Sequence, residues 1–474
     1  MADKKDLAIT IGAITIKEIE YIELTQLEIN HTANEHAQAR LTVMMEEKKA
    51  QKLISQADMD KIKITAKVNK KDVVLFQGYI TNLKLQPTLD YNMMTIELMD
   101  ASILLDLKRE SCSFQKLDAK YEDVLKPAYK DSGGKVQFKA TDKAIEKMIL
   151  RLNETAWEFT KRMASQFNAM VFTDITAEKP LINIGLPEPK KTVELEPTQI
   201  KYNFMDRKYQ EINSNADYLA KGSKVIKEDF SSVQVRSYEY LYVADVVKLD
   251  KKAYCIKSVN AKFEEDVLTM EYELVGKTAF VVPVIKHWAA SGRIFRAQVK
   301  KVEKDKVQAH LFDIDEKYDS SSTMWFPFAT VYSSGDGSGW YVMPEVDDYI
   351  RILIPSEDVG EAFAMSSINT APLKEPKNKS LKAPGGREIL LTDKGVEIIA
   401  EHQKTFIMLD KSGGINVVSS KDIQVHADGN ISFEAKGKIQ LVAQKEIDIQ
   451  SGQSHVKVLN NQIDMGGSNI IVGE

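Results

Sequence analysis

The sequence predicts a mainly β protein with a minor α part: two barrel-like β subdomains flanking a helical insert, a further small β domain, and a C-terminal coil of stacked strands. Three observations predict it. Polar and apolar residues alternate along much of residues 7–100 and 190–285, a helical pattern interrupts them at 116–172, and five eight-residue units run without insertion from Gly413 to Gly452. Alternation is the period of a strand, whose successive side chains point to opposite faces, whereas helices repeat every 3.6 residues.

The stretch DKIKITAKVNKKDVVLFQGYITNLKLQ (Asp60 to Gln86), followed by YNMMTIELMD, alternates as strands and places a first barrel at 1–115. A helical insert at 116–175 holds LDAKYEDVLKPAYKDS and LNETAWEFTKRMASQFNAMVFTD. In the latter, Asn153 is the expected helix cap, with Trp157, Met163, Phe167 and Met170 broadly on one face. A second barrel follows at 185–285. Its segment IKSVNAKFEEDVLTMEYELVG (Ile256 to Gly276) aligns without gaps on ITNLKLQPTLDYNMMTIELMD (Ile80 to Asp100), with five identities and Leu83 against Val259. This echo suggests that the two barrels are related. Residues 286–370 read as the small β domain, and the polar, proline-rich residues 371–386 as a linker.

The coil occupies 387–474. Its regular part reads GGINVVSS, KDIQVHAD, GNISFEAK, GKIQLVAQ, KEIDIQSG. The inward set is Ile415, Val417, Ile423, Val425, Ile431, Phe433, Ile439, Leu441, Ile447 and Ile449, and the seventh position is always Ser or Ala. A hairpin meander would not keep so constant a period without turn residues such as Asn-Gly. One chain winding three octads per turn would complete fewer than two turns, too shallow for a repeat core. Three chains around one axis gain a full layer from each octad, roughly 24 Å of prism at about 4.8 Å per strand. The arithmetic favours a homotrimer. Upstream, REILLTDKGVEIIAEHQKTFIMLDKS shows a looser form of the pattern, so the coil is expected to begin near Ile389.

Composition narrows the function classes. With 64 Lys and Arg against 69 Asp and Glu, the net charge of −5 makes no electrostatic case for nucleic acid or an anionic membrane surface. The start MADKKDLAITIGAITIKEIE lacks the apolar core of a signal peptide, and no stretch reaches the length of a membrane span, so synthesis in the cytoplasm is expected. Cys112 and Cys255 are too few for a disulfide framework and read as small buried apolar residues.

Three stretches, in this order, resemble the hub-and-spike proteins of contractile injection systems. That family includes the valine-glycine-repeat spikes of type VI secretion and the fused hub and spike of contractile phage tails. LFQGYITNLKLQ, DASILLDLKRESCSFQKLDAKYEDVL and LNETAWEFTKRMASQFNAMVFTD resemble the hub. STMWFPFATVYSSGDGSGWYVMPEVDDYIRILI resembles an oligonucleotide/oligosaccharide-binding (OB) barrel, with its aromatic pair at Trp340 and Tyr341. SLKAPGGREILLTDKG and the octads resemble the spike. The resemblance implies a hub at 1–285, an OB-fold collar at 286–370, and a trimeric, intertwined β-helical spike at 387–474. It also implies assembly into the baseplate of a phage tail, tailocin or secretion particle. The implied partners are two further copies of the chain, a hexameric tail-tube or tube-initiator protein, baseplate wedge proteins, and a separate PAAR-like tip-capping protein. The target membrane would be pierced mechanically, with no cofactor, no metal and no nucleic acid.

Two departures stand out. The usual Pro-x-Val-Gly turn reads Pro344-Glu345-Val346-Asp347, for which a small local change is expected, and the paired tip histidines of some relatives are reduced to His455. Beyond Gly452, Val456, Val458, Ile463, Met465, Ile470 and Val472 still alternate without an evident seal, which marks them as the expected seat of the tip-capping protein.

Catalytic alternatives are weaker. Glu154 and Glu158 lie one helical turn apart, as an acid/base pair would, but Arg162 four residues further on favours a solvated ion-pair ladder. The seven histidines lack zinc-site spacing, and GDGSG at 335–339 reads as a loop. Trp325 and Trp340 could stack bases, but residues 287–368 carry 8 Lys and Arg against 13 Asp and Glu, so core or inter-chain packing is expected. A trimeric tailspike depolymerase would use coil carboxylates such as Asp422, Asp428, Glu434, Glu446 and Asp448. Octads without insertions build no sugar groove. No enzyme is expected.

Overall fold

The computed structural model describes residues 8–88, 91–369, 371 and 375–472. The chain divides into two compact units, residues 1–370 and 371–474.

The first unit opens with β1 (Ile14–Ile16), β2 (Glu23–Thr32), β3 (Gln38–Met45), helix α1 (Glu47–Gln56), β4 (Lys61–Val68), β5 (Lys71–Pro87) and β6 (Asn92–Asp100). Alternating burial, as in Ile62, Ile64 and Ala66 of β4, confirms the strand period read from the sequence. Gly78 in β5 is required by close approach, because a Cβ there would run into the Met99 carbonyl oxygen of β6.

The insert follows as β7 (Arg109–Phe114), α2 (Tyr121–Leu125), β8 (Lys135–Phe138), β9 (Ile149–Thr155), α3 (Ala156–Ser165), β10 (Val171–Thr173) and β11 (Leu181–Ile184). The sequence placed the α3 cap at Asn153. Asn153 instead lies in β9 with φ +51°, and Thr155 caps the helix. The Thr155 hydroxyl accepts from the Glu158 N–H while the Glu158 carboxylate accepts from the Thr155 N–H, a reciprocal pair that asparagine at 153 is too far upstream to make. Trp157 and Met163 are buried on α3 as expected, whereas Phe167 and Met170 lie beyond its end.

The segment after the insert comprises β12 (Thr192–Glu194), β13 (Gln199–Phe204), α4 (Asp206–Ser214), β14 (Ser231–Ser237), β15 (Val246–Leu249), β16 (Lys252–Glu264) and β17 (Val267–Val275). The main sheet runs β1-β4-β5-β6-β3-β2-β16-β17-β14-β13, with β15 on β16 and β12 on β15. Both halves therefore share one sheet, joined where β2 pairs with β16, and one apolar core that includes Leu41, Ile64, Phe76, Ile256 and Tyr272. His31 sits at the join opposite Val259, and burial pushes its pKa down to about 4, so the ring is neutral at neutral pH.

The faint echo in the sequence is a duplication of register. In the β5–β6 hairpin Ile80 faces Leu98, the pairing slips by one residue, and Asn82 faces Glu97. In β16–β17 Ile256 faces Leu274, the pairing slips, and Ser258 faces Glu273. Each partner is displaced by the same 176 residues, and the bulge falls at the same aligned place.

Next comes a five-stranded sheet of β18 (Arg293–Glu303), β19 (Lys306–His310), β20 (Phe326–Pro327), β21 (Tyr349–Ile354) and β22 (Phe363–Met365), ordered β20-β19-β18-β21-β22. Met148, just before β9, and Leu150 in it enter its core beside Val299, Phe326 and Ile352. Asp347 adopts φ +72°, the left-handed region that glycine takes freely and aspartate tolerates. Its N–H donates to the Val299 carbonyl at 2.9 Å, so the turn is held with Asp in the place of Gly.

The second unit holds an antiparallel sheet β23 (Lys379–Lys382), β24 (Glu388–Leu391), β25 (Gly395–Glu401), β26 (Thr405–Asp410) and β27 (Gly414–Val418), and a smaller one of β28 (Glu446–Ser451), β29 (Ser454–Leu459) and β30 (Ile463–Gly466). The coil expected from Ile389 is thus a meander up to Val418. Its turns are local: the Asp410 carboxylate accepts from the Ser412 and Gly413 N–H groups and reverses the chain. Of the five octads, the first and last supply β27 and β28. Among the described residues, 419–445 form no strand and pair with no other segment of the chain.

Candidate assembly surfaces

In the five-stranded sheet of the second unit, cross-strand pairing lines up two apolar rows on one face. One row is Leu381, Ile389, Ile398, Ile407 and Val417; the other is Leu391, Val396, Leu409 and Ile415. The opposite face mixes Glu388, Glu397 and Asn416 with apolar residues. The apolar rows are uncovered among the described residues: all but the half-buried Val396 are exposed. A water-soluble sheet ordinarily buries such a face.

The three-stranded sheet repeats the arrangement. Ile449, Val456 and Met465 form one row, and Ile447, Val458 and Ile463 the next. Two members of the expected axis set and four of the expected tip set therefore share one surface. Ile423, Val425, Ile431, Phe433, Ile439 and Leu441 lie in the unpaired middle octads and are exposed, Phe433 at 78%. Ile470 and Val472 are also exposed and lie outside any strand. His455 stands 3.5 Å from Asp464.

Two edge stretches of the main sheet are open among the described residues. There β13 pairs with β14 alone, and its Ile200, Tyr202 and Phe204 project exposed on one side. Residues Asn82–Gln86 of β5 extend past the end of β4, which pairs with β5 only as far as Tyr79. The sequence reading passed over both, although the alternation in QIKYNF is legible.

The chemical candidates resolve into structural pairs. The Arg162 side chain is 8% exposed and reaches Glu154, not Glu158, through two 2.7 Å hydrogen bonds; it also donates to the Leu150 carbonyl. Glu158 pairs with Arg109 instead, and that guanidinium holds its carboxyl below the usual range. The expected solvated ladder is therefore two separate pairs, one of them buried. The reason is that Glu154 precedes the helix and reaches Arg162 from the strand side.

A cavity of about 340 Å³ lies between α3 and the loop 357–360 of the β18–β22 sheet and is lined by residues that include Lys147, Arg162, Lys286 and His287. Its cations are engaged by Asp358, Glu154, and Asp217 with Glu357, respectively. Burial pushes His287 down to about 4. Among the described residues no group of His, Cys, Asp and Glu is arranged to hold a metal ion. Cys255 is buried and Cys112 half-buried, and burial pushes the Cys112 thiol up to about 12, far from a reactive thiolate. Trp340 and Tyr341 flank the 335–339 loop in the open; Trp325 is half-buried.

Comparison with known proteins agrees with this architecture. The family described as the Alg8 N-terminal domain matches residues 2–198, less than half of the chain. No curated protein matches the chain. Among solved structures, the E. coli c3393 protein is described as a component of the type VI secretion system with structural similarity to the T4 bacteriophage tail proteins gp27 and gp5. It aligns with a TM-score of 0.55 at 10% identity, covering 75% of this chain and 99% of that one. The half-lidded Francisella PdpA–VgrG complex gives a TM-score of 0.54 at 10% identity, covering 86% and 87%. The lidless PdpA–VgrG complex gives 0.53 at 11%, covering 86% and 98%. At such identities the likeness is one of fold. The chain has the mainly β fold of the hub-and-spike proteins.

Proposed function

We propose that this chain, on its hub-and-spike fold, is the structural hub and spike at the tube tip of a contractile injection system. Three copies would form a hub from 1–285, a collar from 286–370, and a spike from 387–474 after the 371–386 linker. The carrying observation is the uncovered apolar face of the second unit. Each aliphatic side chain buried there contributes about 1.5–3 kcal/mol. Two uncovered rows together with the middle octads comfortably exceed an association cost of roughly 4–15 kcal/mol. Axial meeting of the inward set gives residues 419–445 the strand neighbours they lack in their own chain.

The solved relatives support the setting, since c3393 is a secretion-system component and VgrG assembles with PdpA. In this reading a hexameric tube or tube-initiator protein and wedge proteins dock on the hub, and the spike drives through the target membrane when a sheath contracts. The chain takes no catalytic step. The purified protein is expected to scatter light as a trimer of about 160 kDa, three times the 53.4 kDa chain. A stable monomer at any working concentration overturns the reading.

Val456, Val458, Ile463 and Met465 continue the inward surface of Ile447 and Ile449, and the blunt end that their last ring forms is the proposed seat of a PAAR-like cap. Among the described residues its outer strand β30 pairs with β29 alone, leaving backbone groups to recruit another chain. Deleting residues 456–474 is expected to leave a trimer that no longer retains a co-expressed cap in pull-downs. Undiminished retention assigns the cap to another surface.

A further inference from the structure

We infer that the joint between the insert and the β18–β22 sheet is an acid-operated latch with His287 as its sensor, closed while the ring is neutral and opened when the ring gains a proton. The inference concerns a single chain and holds whatever the number of copies in the particle.

The joint is built around the cavity beside α3. On one side the Ser165 hydroxyl of α3 accepts from the Ile285 N–H at 2.9 Å, and the Tyr218 carbonyl accepts from the Val284 N–H at 2.9 Å, which fixes the segment 284–287. On the other side the Asp358 carboxylate accepts from the Gly360 N–H at 2.9 Å and from the Lys147 ammonium at 2.5 Å. Lys286 spans the gap, 2.7 Å from Asp217 in the turn at 216–218 and 3.2 Å from Glu357. His287 stands next, where the chain leaves this packing. Its carbonyl accepts from the Ala290 N–H in the turn that leads into β18.

The closed joint has no place for a second proton on the ring. His287 is 7% exposed, and its Nε2 is enclosed without a hydrogen-bond partner among the described residues. The charged groups around it are already matched. Arg162 of α3 holds Glu154 of β9, Lys147 holds Asp358 of the loop 357–360, and Lys286 holds Asp217 and Glu357. Protonation would add a fourth cation close to Arg162 and leave its enclosed N–H unmet, which is costly in a desolvated site.

Burial, reinforced by the Arg162 charge against a smaller pull from Glu154, pushes His287 down to about 4. Opening returns the ring to water and to its ordinary value of 6.5. The closed state is therefore fully favoured above pH 6.5 and loses stability as the pH falls from there towards 4. Between pH 7.5 and pH 5 the open fraction rises about 30-fold. The pairs that close the joint keep their charges in this window. Lys286 holds the Asp217 carboxyl below the usual range; burial pushes Asp358 up, but the Lys147 ammonium and the Gly360 N–H outweigh it.

The test is hydrogen exchange of the full-length chain, read by mass spectrometry as protection relative to the intrinsic rate at each pH. The comparison is with His287→Gln, whose side chain cannot gain a proton. His31, also pushed down by burial, is common to both chains, so the difference between them reports His287 alone. From pH 7.5 to pH 5, protection at residues 284–292 and 357–362 is expected to fall about 30-fold further in the parent than in the variant. Equal falls, or no fall in either chain, overturn the latch. Exchange of the histidine ring C2–H gives a second reading that needs no variant. A midpoint for His287 near 4 is expected, and one near 6.5 overturns the inference.

Discussion

Phe433→Asp is expected to abolish trimerisation of a 371–474 fragment, while Glu434→Lys leaves it intact. The fragment is one compact unit and retains β23. Phe433 belongs to the inward set of the third octad and is almost bare in the single chain. On a three-chain axis, three aspartates would meet in a dry core, where each ion costs several kcal/mol even after relaxation. That total exceeds what the neighbouring octads can offset. Glu434 is the next residue along and so lies on the opposite face, where a change of charge sign costs at most a few tenths of a kcal/mol. Sedimentation or light scattering reads the difference. If both variants assemble alike, or both fail, the octad register is wrong.

Glu154→Ala should be the most damaging single change in the first unit. Removal of the carboxylate leaves the Arg162 guanidinium enclosed, with only the Leu150 carbonyl to receive it. Breaking a buried pair from one side costs about 3–5 kcal/mol, visible as a large fall in the urea midpoint. Replacing both partners, Glu154→Leu with Arg162→Met, should recover most of the loss, because no orphan charge remains. Glu158→Ala, which removes half of the capping box and an exposed pair, should cost only about 1 kcal/mol. An unfolding curve for Glu154→Ala within 1 kcal/mol of the parent would show that Arg162 finds other partners, and the buried pair would lose its importance.

Much of the fold was readable because side-chain alternation is a direct record of strand faces. The hairpin echo was readable too, although five identities alone did not reveal that pairing, bulge and offset agree throughout. The α3 cap was misplaced because Asn153 and Thr155 are both good capping residues, and only the backbone chooses between them: Asn153, at φ +51°, sits in the register shift inside β9, and the helix starts only after Thr155. The Arg162 partner was missed for a related reason, since helical spacing applies only inside the helix and Glu154 lies outside it. In the coil, alternation marked Ile415 and Val417 as one face. It could not distinguish the meander up to Val418 from stacked turns, because both use period two. The open edges at β13 and β5 were beyond sequence reading, as an edge is a property of the neighbours a strand lacks.

The middle octads bear on the order in which the particle forms. Among the described residues, 419–445 pair with no strand of their own chain, so on the three-chain reading their ordering is a collision between molecules and its rate falls with dilution. The hairpins β25–β26 and β28–β29 close locally, on the microsecond scale of such elements. Three free tails at low concentration would then wait. Tethering changes that arithmetic: once three first units are joined, each tail sees the others at an effective concentration in the millimolar range. On the three-chain reading the first units nucleate assembly and residues 419–445 condense last.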